Sequence, residues 1–545
     1  PYLTASYAFR SRAVGTIDDS AYGQIPSYAL VNASAGLRGD YGDRQWDLSL
    51  WLKNAFDKTY SPAPGNSADG GYPGVLGTPR TLGVNARLRI PNPSARNPPC
   101  PDSRCSCSAP RCSPPGAHAA PSVYPTGVTR YDPQKAFNQY VIFSGADRKT
   151  HLIDMNGNEV KRWDCPGFPA AVIDPALNGG KRGHVLLQLA DLAAPDKLAS
   201  PGNGLANQAL GELDWDGKEV WRWGDQAPGG AAHQHHDQRR LANGNTLLLA
   251  NKVHAVKGFA VPRVIDDVIY EVTPQGKLAW SWTASEHLDE FGFTADQLKR
   301  VRASENPDYL HINNLAPLGE NRWHAAGDRR FAPDNLLLDS RNANFIAIVD
   351  KASGKVVWRL GPNLPPIDPK SARKLPRPVD QISGQHDAHL IPEGLPGAGN
   401  LLVFDNQGDA GYPSVQRGLV SGSRVLEIDP LKKQIVWQYT AEDSQQPGWA
   451  FYSAFISSAR RLPNGNTLID EGQNGRFFQV TPGGEIVWEY VSPYFGKAPR
   501  GDARSNWVYR ALPVAYDWVP EGTPREEKAV NLAVPGATPQ VTARR

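Results

Sequence analysis

Three histidines at matching places in the sequence are the strongest candidates for chemistry. His236, His311 and His386 follow one another at intervals of 75 residues, and the next copy of the pattern carries Ser457 instead. Each lies six residues before the residue used to align the copies, namely Ala242, Pro317 and Pro392. An imidazole is both a nucleophile near neutral pH and a common metal ligand. The trio therefore indicates either group transfer or a metal site.

Two further side chains favour an anionic group over a metal ion. Asn313 lies two residues after His311, and Arg341 lies in the segment Asp339-Ser-Arg-Asn342. Both donate hydrogen bonds, and a guanidinium binds the oxygens of sulfate or phosphate in pairs. We expect both to contact an oxyanion, and we expect Tyr412 to line the same mouth. We expect no metal and no cofactor.

The elements that must position these side chains form a repeat from residue 123 onward. Each copy is a hairpin with turn residues at its centre and usually a Trp on its second strand. The six copies cover residues 152–163, 212–223, 271–282, 348–359, 427–438 and 479–489. The recurring tryptophans are expected to pack between neighbouring copies.

A second, inner hairpin precedes the later copies and completes the repeat. Its clearest forms are residues 241–249 and 462–469, where Asn-Gly separates two apolar runs, the strongest short hairpin pattern. Two hairpins per copy give four strands, and six copies predict an all-β, six-bladed β-propeller. Equivalent positions at the start of the inner strands converge on the central channel. The three histidines should therefore face one another there.

At these residues the chain resembles the bacterial arylsulfate sulfotransferases and their relatives in the arylsulfotransferase family. The resemblance covers about residues 123–520, and its motifs lie at 309–313, 321–323, 331–335, 340–341, 358–362, 384–387 and 403–406. It implies transfer of a sulfuryl group from a small-molecule aryl sulfate donor to a phenol acceptor, through a transiently sulfated histidine. His386 matches that histidine. The residues that hold the sulfate oxygens and the leaving group match His236, His311, Asn313 and Arg341.

The resemblance also implies that no nucleotide takes part, and the sequence agrees with this. It contains neither a Gly-x-x-x-x-Gly-Lys-Ser/Thr loop nor a Gly-x-Gly-x-x-Gly motif. The chain departs from the family pattern in a longer segment before Arg341, which makes Arg329 and Arg330 rivals for its role. It also departs in Asp387 and in three extra histidines, His233, His235 and His389.

Two other functions stay open on the residues alone. One is a non-catalytic propeller that binds an anionic ligand or a partner at the same mouth. The other is a metal-dependent propeller enzyme.

Residues 1–90 form a separate region of short alternating segments, typical of a sheet with one apolar and one polar face. The segment 52–60, then 77–81 and the last strand, resemble the C-terminal end of TonB-dependent outer-membrane receptors. Too few strands are present to close such a barrel, and Ile90 stands where an aromatic residue usually ends it. We expect a remnant, with membrane contact only if this fragment is functional.

Residues 91–122 are expected to be a disordered linker, because they hold nine Pro and no large aliphatic or aromatic side chain. Their four cysteines, Cys100, Cys105, Cys107 and Cys112, are a weak zinc pattern. The chain opens at Pro1 and its single methionine is Met155, so we expect this region to join two reading frames. Residues 521–545 are expected to be a tail.

Composition limits the remaining classes. Of the 545 residues, 40% are apolar and 21% are charged, and the net charge of +3 argues against nucleic-acid binding by bulk attraction. No apolar run reaches the length of a membrane helix. From the resemblance and the barrel-like remnant we expect the protein to lie in the periplasm or cell envelope. A homo-oligomer is left open.

Overall fold

The chain forms two units, Pro1–Pro114 and Pro115–Arg545. The structure is a computed structural model and describes residues 1–10, 13–14, 24–25, 27–41, 44–60, 79–89, 125–189, 207–408, 410–413, 422–497 and 504–531. The expected linker 91–122, with its four cysteines, lies outside the described residues. In the described part of the chain, no helix has the length and apolar character needed to cross a bilayer.

The first unit contains a four-stranded antiparallel sheet in the order β1-β4-β5-β6. Its strands are β1 (Tyr2–Arg10), β4 (Tyr28–Tyr41), β5 (Arg44–Lys53) and β6 (Thr81–Arg89), and β2 (Ala13–Val14) pairs with β3 (Gln24–Ile25). The register aligns Leu3, Ala35, Leu50 and Val84 across one face, where three of the four side chains are at least half exposed. The predicted alternation is therefore present. The likeness to TonB-dependent receptors stays a prediction.

The second unit contains six antiparallel sheets that follow one another along the chain, and these are the blades of a propeller. Blade 1 holds β8 (Tyr140–Ser144), β9 (Thr150–Ile153) and β10 (Glu159–Trp163); blade 2 holds β11 (Ala171–Val172), β12 (Val185–Leu189), β13 (Ala209–Leu213) and β14 (Glu219–Trp223); blade 3 holds β15 (Gln234–Arg240), β16 (Thr246–His254), β17 (Val264–Val272) and β18 (Leu278–Thr283). Blade 4 holds β19 (Ile312–Pro317), β20 (Leu336–Ser340), β21 (Phe345–Val349) and β22 (Val356–Leu360); blade 5 holds β23 (Arg377–Pro378), β24 (His386–Leu390), β25 (Leu401–Asp405), β26 (Arg424–Asp429) and β27 (Gln434–Tyr439); blade 6 holds β28 (Ser458–Arg461), β29 (Thr467–Glu471), β30 (Arg476–Val480) and β31 (Ile486–Val491). The predicted six-bladed, all-β propeller is confirmed.

The ring is closed by two strand pairings, each between a strand near one end of the unit and a blade at the other end. The innermost strand of blade 1 is β34 (Ala511–Val514), which pairs with β8, while β7 (Gly127–Tyr131) pairs with β31 on blade 6. The strand β35 (Val530–Asn531) then pairs with β7, so the propeller continues past residue 520, the boundary that the sequence indicated. A separate small pair joins β32 (Gly496–Lys497) and β33 (Arg504–Ser505).

Helical segments lie between the strands. They are α1 (Ala295–Ala303), α2 (Arg322–Ala325) and the 3-10 helices Pro175–Leu177, Ala284–Glu290, Arg329–Phe331, Ala441–Ser444, Gly448–Ala450 and Gly472–Asn474. The N-terminus of α1 is capped by Thr294 and Gln297, which satisfy each other's backbone N–H groups. The segment with α2 extends the inner hairpin of blade 4, between β19 and β20.

Tryptophans join each blade to the next, as the sequence predicted. At every junction an indole N–H donates a hydrogen bond to a backbone carbonyl in the outer hairpin turn of the following blade. The N–O distances are 2.8–3.0 Å, and the six pairs are Trp163 to Asp214, Trp221 to Pro274, Trp282 to Gly354, Trp358 to Pro430, Trp437 to Pro482 and Trp488 to Met155. A buried indole needs such an acceptor for its polar end. The recurring Trp therefore fixes both the packing and the register of adjacent blades.

Candidate active site

A pocket of about 350 Å³ opens at one end of the propeller axis. The first strands of neighbouring blades contact one another around this axis. Most lining residues lie at or just before the start of such a first strand. Arg341 follows the second strand of blade 4, β20, which runs antiparallel to β19 and therefore ends where β19 begins. The lining consists of Phe168, His236, Asn306, Asp308, His311, Arg341, Asn342, His386, Phe455, Ile456 and Trp507. The structure thus brings four of the predicted site residues together: His236, His311, Arg341 and His386.

His386 is held in one tautomer. Its Nδ1–H donates to Asn406 Oδ1 at 2.7 Å and to the Gly384 carbonyl at 2.9 Å. The amide of Asn406 is itself oriented, because its Nδ2 donates to the carbonyls of Ser453 and Ile456 at 2.8 Å. The other ring atom, Nε2, therefore carries a lone pair, which now accepts the backbone N–H of Ile456 at 3.1 Å.

Burial keeps this imidazole neutral. His386 is 1% exposed, and burial, followed by the positive charge of Arg341, lowers its pKa well below the ordinary value. A neutral ring with a lone pair at Nε2 is the nucleophilic form of histidine.

His236 is also neutral and is tied to a second ring. Its Nδ1 lies 2.7 Å from Nδ1 of His235, so one proton is shared between these two atoms. Burial first, and then the charge of His311, lower the pKa of both rings, to about 3 for His235. His236 also contacts the ring of His311 edge to face, with centroids 4.8 Å apart.

His311 has a different partner, the carboxylate of Asp308. The ring Nδ1–H donates to Asp308 Oδ2 at 2.5 Å. Burial alone would raise the pKa of Asp308, but His311 outweighs it, and the pKa lies below the ordinary value. The side chain of His311 is 18% exposed. His236 and His386 are more deeply buried, with 3% and 1% of the whole residue exposed.

The hydrogen bonds that close the inner hairpins show that His311 is not at the repeat position of the other two histidines. The equivalent bonds run from Leu241 N to Asn245 O, Leu318 N to Asn335 O, Ile391 N to Asn400 O and Leu462 N to Asn466 O. Five residues before each donor stand His236, Asn313, His386 and Ser457. The expected equivalence is therefore wrong for His311, which lies two residues earlier. It still reaches the pocket because it ends the loop before β19.

The structure does not bring Asn313 or Tyr412 into the pocket wall. Asn313 is fully buried and its Nδ2 donates to the carbonyl of Gln385, next to His386, at 2.9 Å. Tyr412 packs on the apolar core between blades 3 and 4, and its backbone N–H donates to Asn342 O at 2.9 Å. The rivals Arg329 and Arg330 lie in the 3-10 helix after α2, where Arg330 pairs with Asp328, and neither lines the pocket.

An aromatic wall faces the imidazoles. Phe168 stacks on Tyr509 with ring centroids 4.1 Å apart, and it contacts the rings of His236 and Trp507. The sequence analysis missed this wall, and it missed Asp308 and Asn406 as well. Asn406 belongs to a motif that the resemblance had already marked, whereas nothing in the repeat pattern singled out Phe168 or Trp507.

A buried network of charges lies directly beneath the pocket. Arg510 is fully buried, with Nη1 3.1 Å from Asp237 and Nε 3.2 Å from Asp387. Arg460 also pairs with Asp387. These residues come from blades 1, 3, 5 and 6, so the network joins four blades at the axis.

Within the described residues, no group of three or more His, Cys, Asp or Glu side chains is arranged to hold a metal ion.

Taken together, the fold and the site define a six-bladed β-propeller with an imidazole- and guanidinium-lined pocket on its axis. The sequence profile of the arylsulfotransferase (ASST) family matches residues 144–492, nearly two thirds of the chain. The chain belongs to this family. At the family level this implies a sulfotransferase acting on aryl sulfates and phenols, which are small molecules.

Comparison with curated proteins found no match. Among solved structures, a protein of unknown function from Bacteroides caccae is 13% identical, with 69% of this chain and 99% of that chain covered and a TM-score of 0.38. The β-propeller domain of Myceliophteria thermophila Cps50 (Swd1) is 10% identical, with 72% and 99% covered and a TM-score of 0.30. AztD from Citrobacter koseri is 8% identical, with 92% and 94% covered and a TM-score of 0.26. These similarities are too low to bear on function.

Proposed function

We propose that this chain transfers a sulfuryl group from an aryl sulfate to a phenol, and that His386 carries the group between the two half-reactions. The observation that supports this most directly is the state of His386. Its Nδ1–H is fixed by Asn406 and Gly384, its ring is neutral, and its Nε2 lone pair lies at a pocket lined by Arg341.

In the first half-reaction, Nε2 of His386 attacks the sulfur atom of the donor. An N–S bond forms, the bond from sulfur to the aryl oxygen breaks, and the departing oxygen takes up a proton. Attack requires Nε2 to exchange its present hydrogen bond with the Ile456 N–H for the bond to sulfur. The positive charge that develops on the ring is stabilised through Nδ1–H by the Asn406 oxygen.

In the second half-reaction the acceptor phenol reverses these steps. Its oxygen attacks the sulfur atom, the N–S bond breaks and the phenol proton is released to the protein. Charge on the three sulfuryl oxygens needs fixed donors, as in phosphoryl transfer. The guanidinium of Arg341 and the imidazole of His236, both in the pocket lining, supply such donors.

The test is incubation with 4-nitrophenyl sulfate in the absence of an acceptor, followed by peptide mass spectrometry. We expect one sulfuryl group on His386 and, after a phenol is added, its transfer to that phenol. His386→Asn should show neither event. His324→Asn is the matched control, because His324 lies in α2 outside the pocket.

Two outcomes would replace the proposal. Stoichiometric binding of the aryl sulfate without nitrophenol release would indicate a binding propeller. Turnover that depends on added copper or zinc and leaves no sulfated histidine would indicate a metal-dependent enzyme.

A further inference from the structure

The two pocket histidines beside His386 have opposite surroundings. His236 faces another neutral imidazole, His235, and among the described residues no carboxylate pairs with it. His311 is hydrogen-bonded through Nδ1 to the carboxylate of Asp308, whose pKa is lowered. A carboxylate at Nδ1 fixes the tautomer and stabilises a second proton on Nε2. The two rings, whose centroids lie 4.8 Å apart, therefore differ in their capacity to hold a second proton.

We propose that Asp308 is a positioning residue that makes His311, and not His236, the proton carrier of the transfer cycle. This inference rests on the proposed sulfuryl transfer and names the group that handles its proton. Asp308 acts through His311: it orients the ring and compensates its charge.

The proton balance follows from these positions. In the first half-reaction, Nε2–H of His311 gives its proton to the departing aryl oxygen, and the ring becomes neutral with Nδ1–H still on Asp308. In the second half-reaction, the same Nε2 takes the proton from the acceptor phenol while the phenol oxygen attacks sulfur. One proton leaves and one returns, so no other acid or base is consumed.

The charges around His311 make the carboxylate necessary. The titratable and charged groups near it include Asp308 from the preceding segment, His235 and His236 from blade 3, Arg341 from blade 4 and His386 from blade 5. Asp267 of blade 3 accepts the N–H of the next residue, Ile312, and burial raises the pKa of this carboxyl well above its ordinary value, which favours its neutral form. Arg341 is positive, and burial keeps the three other imidazoles neutral. Asp308 is thus the group that offsets the positive charge of a protonated His311 beside Arg341.

The inference predicts a dependence on the leaving group. A 4-nitrophenolate is a stable anion and needs little help from an acid, whereas a plain phenolate, with a pKa of about 10, needs a proton. In single-turnover measurements without acceptor, Asp308→Asn should slow sulfation of His386 by phenyl sulfate by about 10²–10⁴-fold, the usual contribution of a positioned acid. With 4-nitrophenyl sulfate it should slow sulfation by about threefold or less.

Two more variants separate this role from a structural one. Asp308→Glu keeps the carboxylate and should recover part of the rate with phenyl sulfate. His311→Gln should show the same selective loss as Asp308→Asn, and the double variant should be no slower than either single one.

The outcomes distinguish the two proposals. If the wild-type protein is sulfated on His386 but Asp308→Asn slows both donors equally, or neither, the inference is wrong and the proposed function stands. If the wild-type protein is never sulfated, both are wrong. Should Asp308→Asn fail to fold, His311→Gln with the two donors decides the question alone.

Discussion

The propeller axis carries two neighbouring polar layers, which differ in how their side chains are paired. In the upper layer, His236 and His386 are buried and have lost their charge, so each ring can still bind a ligand or accept a proton. In the lower layer, the next residues along the same strands, Asp237 and Asp387, are paired with Arg510. The two layers are therefore adjacent in the sequence: His236 precedes Asp237, and His386 precedes Asp387.

The chemistry of the side chains explains the difference. An imidazole escapes the cost of burial by releasing a proton, whereas a guanidinium cannot and needs carboxylates as partners. Burial favours the neutral form of both carboxyls. The charge of Arg510 outweighs this at Asp237, whose pKa is lowered, but burial prevails at Asp387, whose pKa is raised. The lower layer thus holds the blades together, while the upper layer stays free for reaction.

Breaking the lower layer should have the largest effect on stability. Arg510→Met leaves Asp237 and Asp387 buried without their shared partner, and we expect it to reduce the free energy of unfolding by about 3–5 kcal/mol. Urea denaturation measures this. The control is Arg373→Met, which removes the ion pairs of a 44% exposed side chain with Glu442 and Asp443 and should cost less than about 1 kcal/mol. Equal midpoints for the two variants would contradict the assigned difference.

Breaking the upper layer should affect turnover and leave stability nearly unchanged. Arg341→Met removes a donor for the sulfuryl oxygens, and we expect kcat to fall by about 10²–10³-fold. The matched control is Arg330→Met, because Arg330 lies outside the pocket. A steady-state assay with 4-nitrophenyl sulfate and phenol measures both. Loss of activity in Arg330→Met with Arg341→Met unaffected would reverse the assignment.

A smaller effect is expected from the residue that orients the nucleophile. Asn406→Ala removes the oxygen that accepts His386 Nδ1–H and should lower kcat by about 10–10²-fold, the range for one buried hydrogen bond. Asn406→Asp keeps an acceptor and should lose less. A ranking in which Asn406→Asp is the slower variant would show that the amide donors to Ser453 and Ile456 matter more than the bond to His386.

The smallest expected change is a response to pH. Because the pKa of His386 is lowered, the active neutral ring persists as pH falls and is lost only well below pH 6.5. An ordinary imidazole with a pKa of about 6.5 would lose about three quarters of its neutral form by pH 6. Single-turnover sulfation by 4-nitrophenyl sulfate should instead be nearly constant between pH 8 and 6. A decline centred near pH 6.5 would show that His386 is not desolvated.

The blades were predictable from the sequence because each one repeats local information. Apolar alternation and turn residues recur in every outer hairpin, a Trp stands at a fixed place in five of the six, and Asn-Gly marks two of the inner turns. The closure of blade 1 was not predictable in this way. Its inner strand, β34, follows the last copy and lacks its own hairpin turn, so nothing local connects it to β8.

The residues of the site were predictable only on those blades where the spacing of the repeat is kept. His236 and His386 lie at equivalent positions, but the inner hairpin of blade 4 contains the long insertion between β19 and β20. Pro317, which ends β19, pairs with Leu336 across this insertion and is not at the turn that the alignment assumed. His311 was therefore placed two residues out of register. Arg510 acts through contacts between blades, which no pattern within one blade reveals. Asp308 lies three residues before His311, and Asn406 lies on the same blade as His386, but neither belongs to the histidine repeat that marked the site.

The ring closure also determines when the site can exist. Trp507 lines the pocket, Arg510 fills the axis beneath it, and both immediately precede β34, whose Ala511 pairs with Phe143 at the far end of the unit. Closing so long a loop is slow and entropically costly, and the stabilising contacts form only once the loop has closed. During synthesis, blades 2 to 6 precede β34 in the chain, whereas blade 1 stays without its inner strand until β34 pairs with β8. The pocket, with Trp507 in its wall, is therefore complete only in the closed ring.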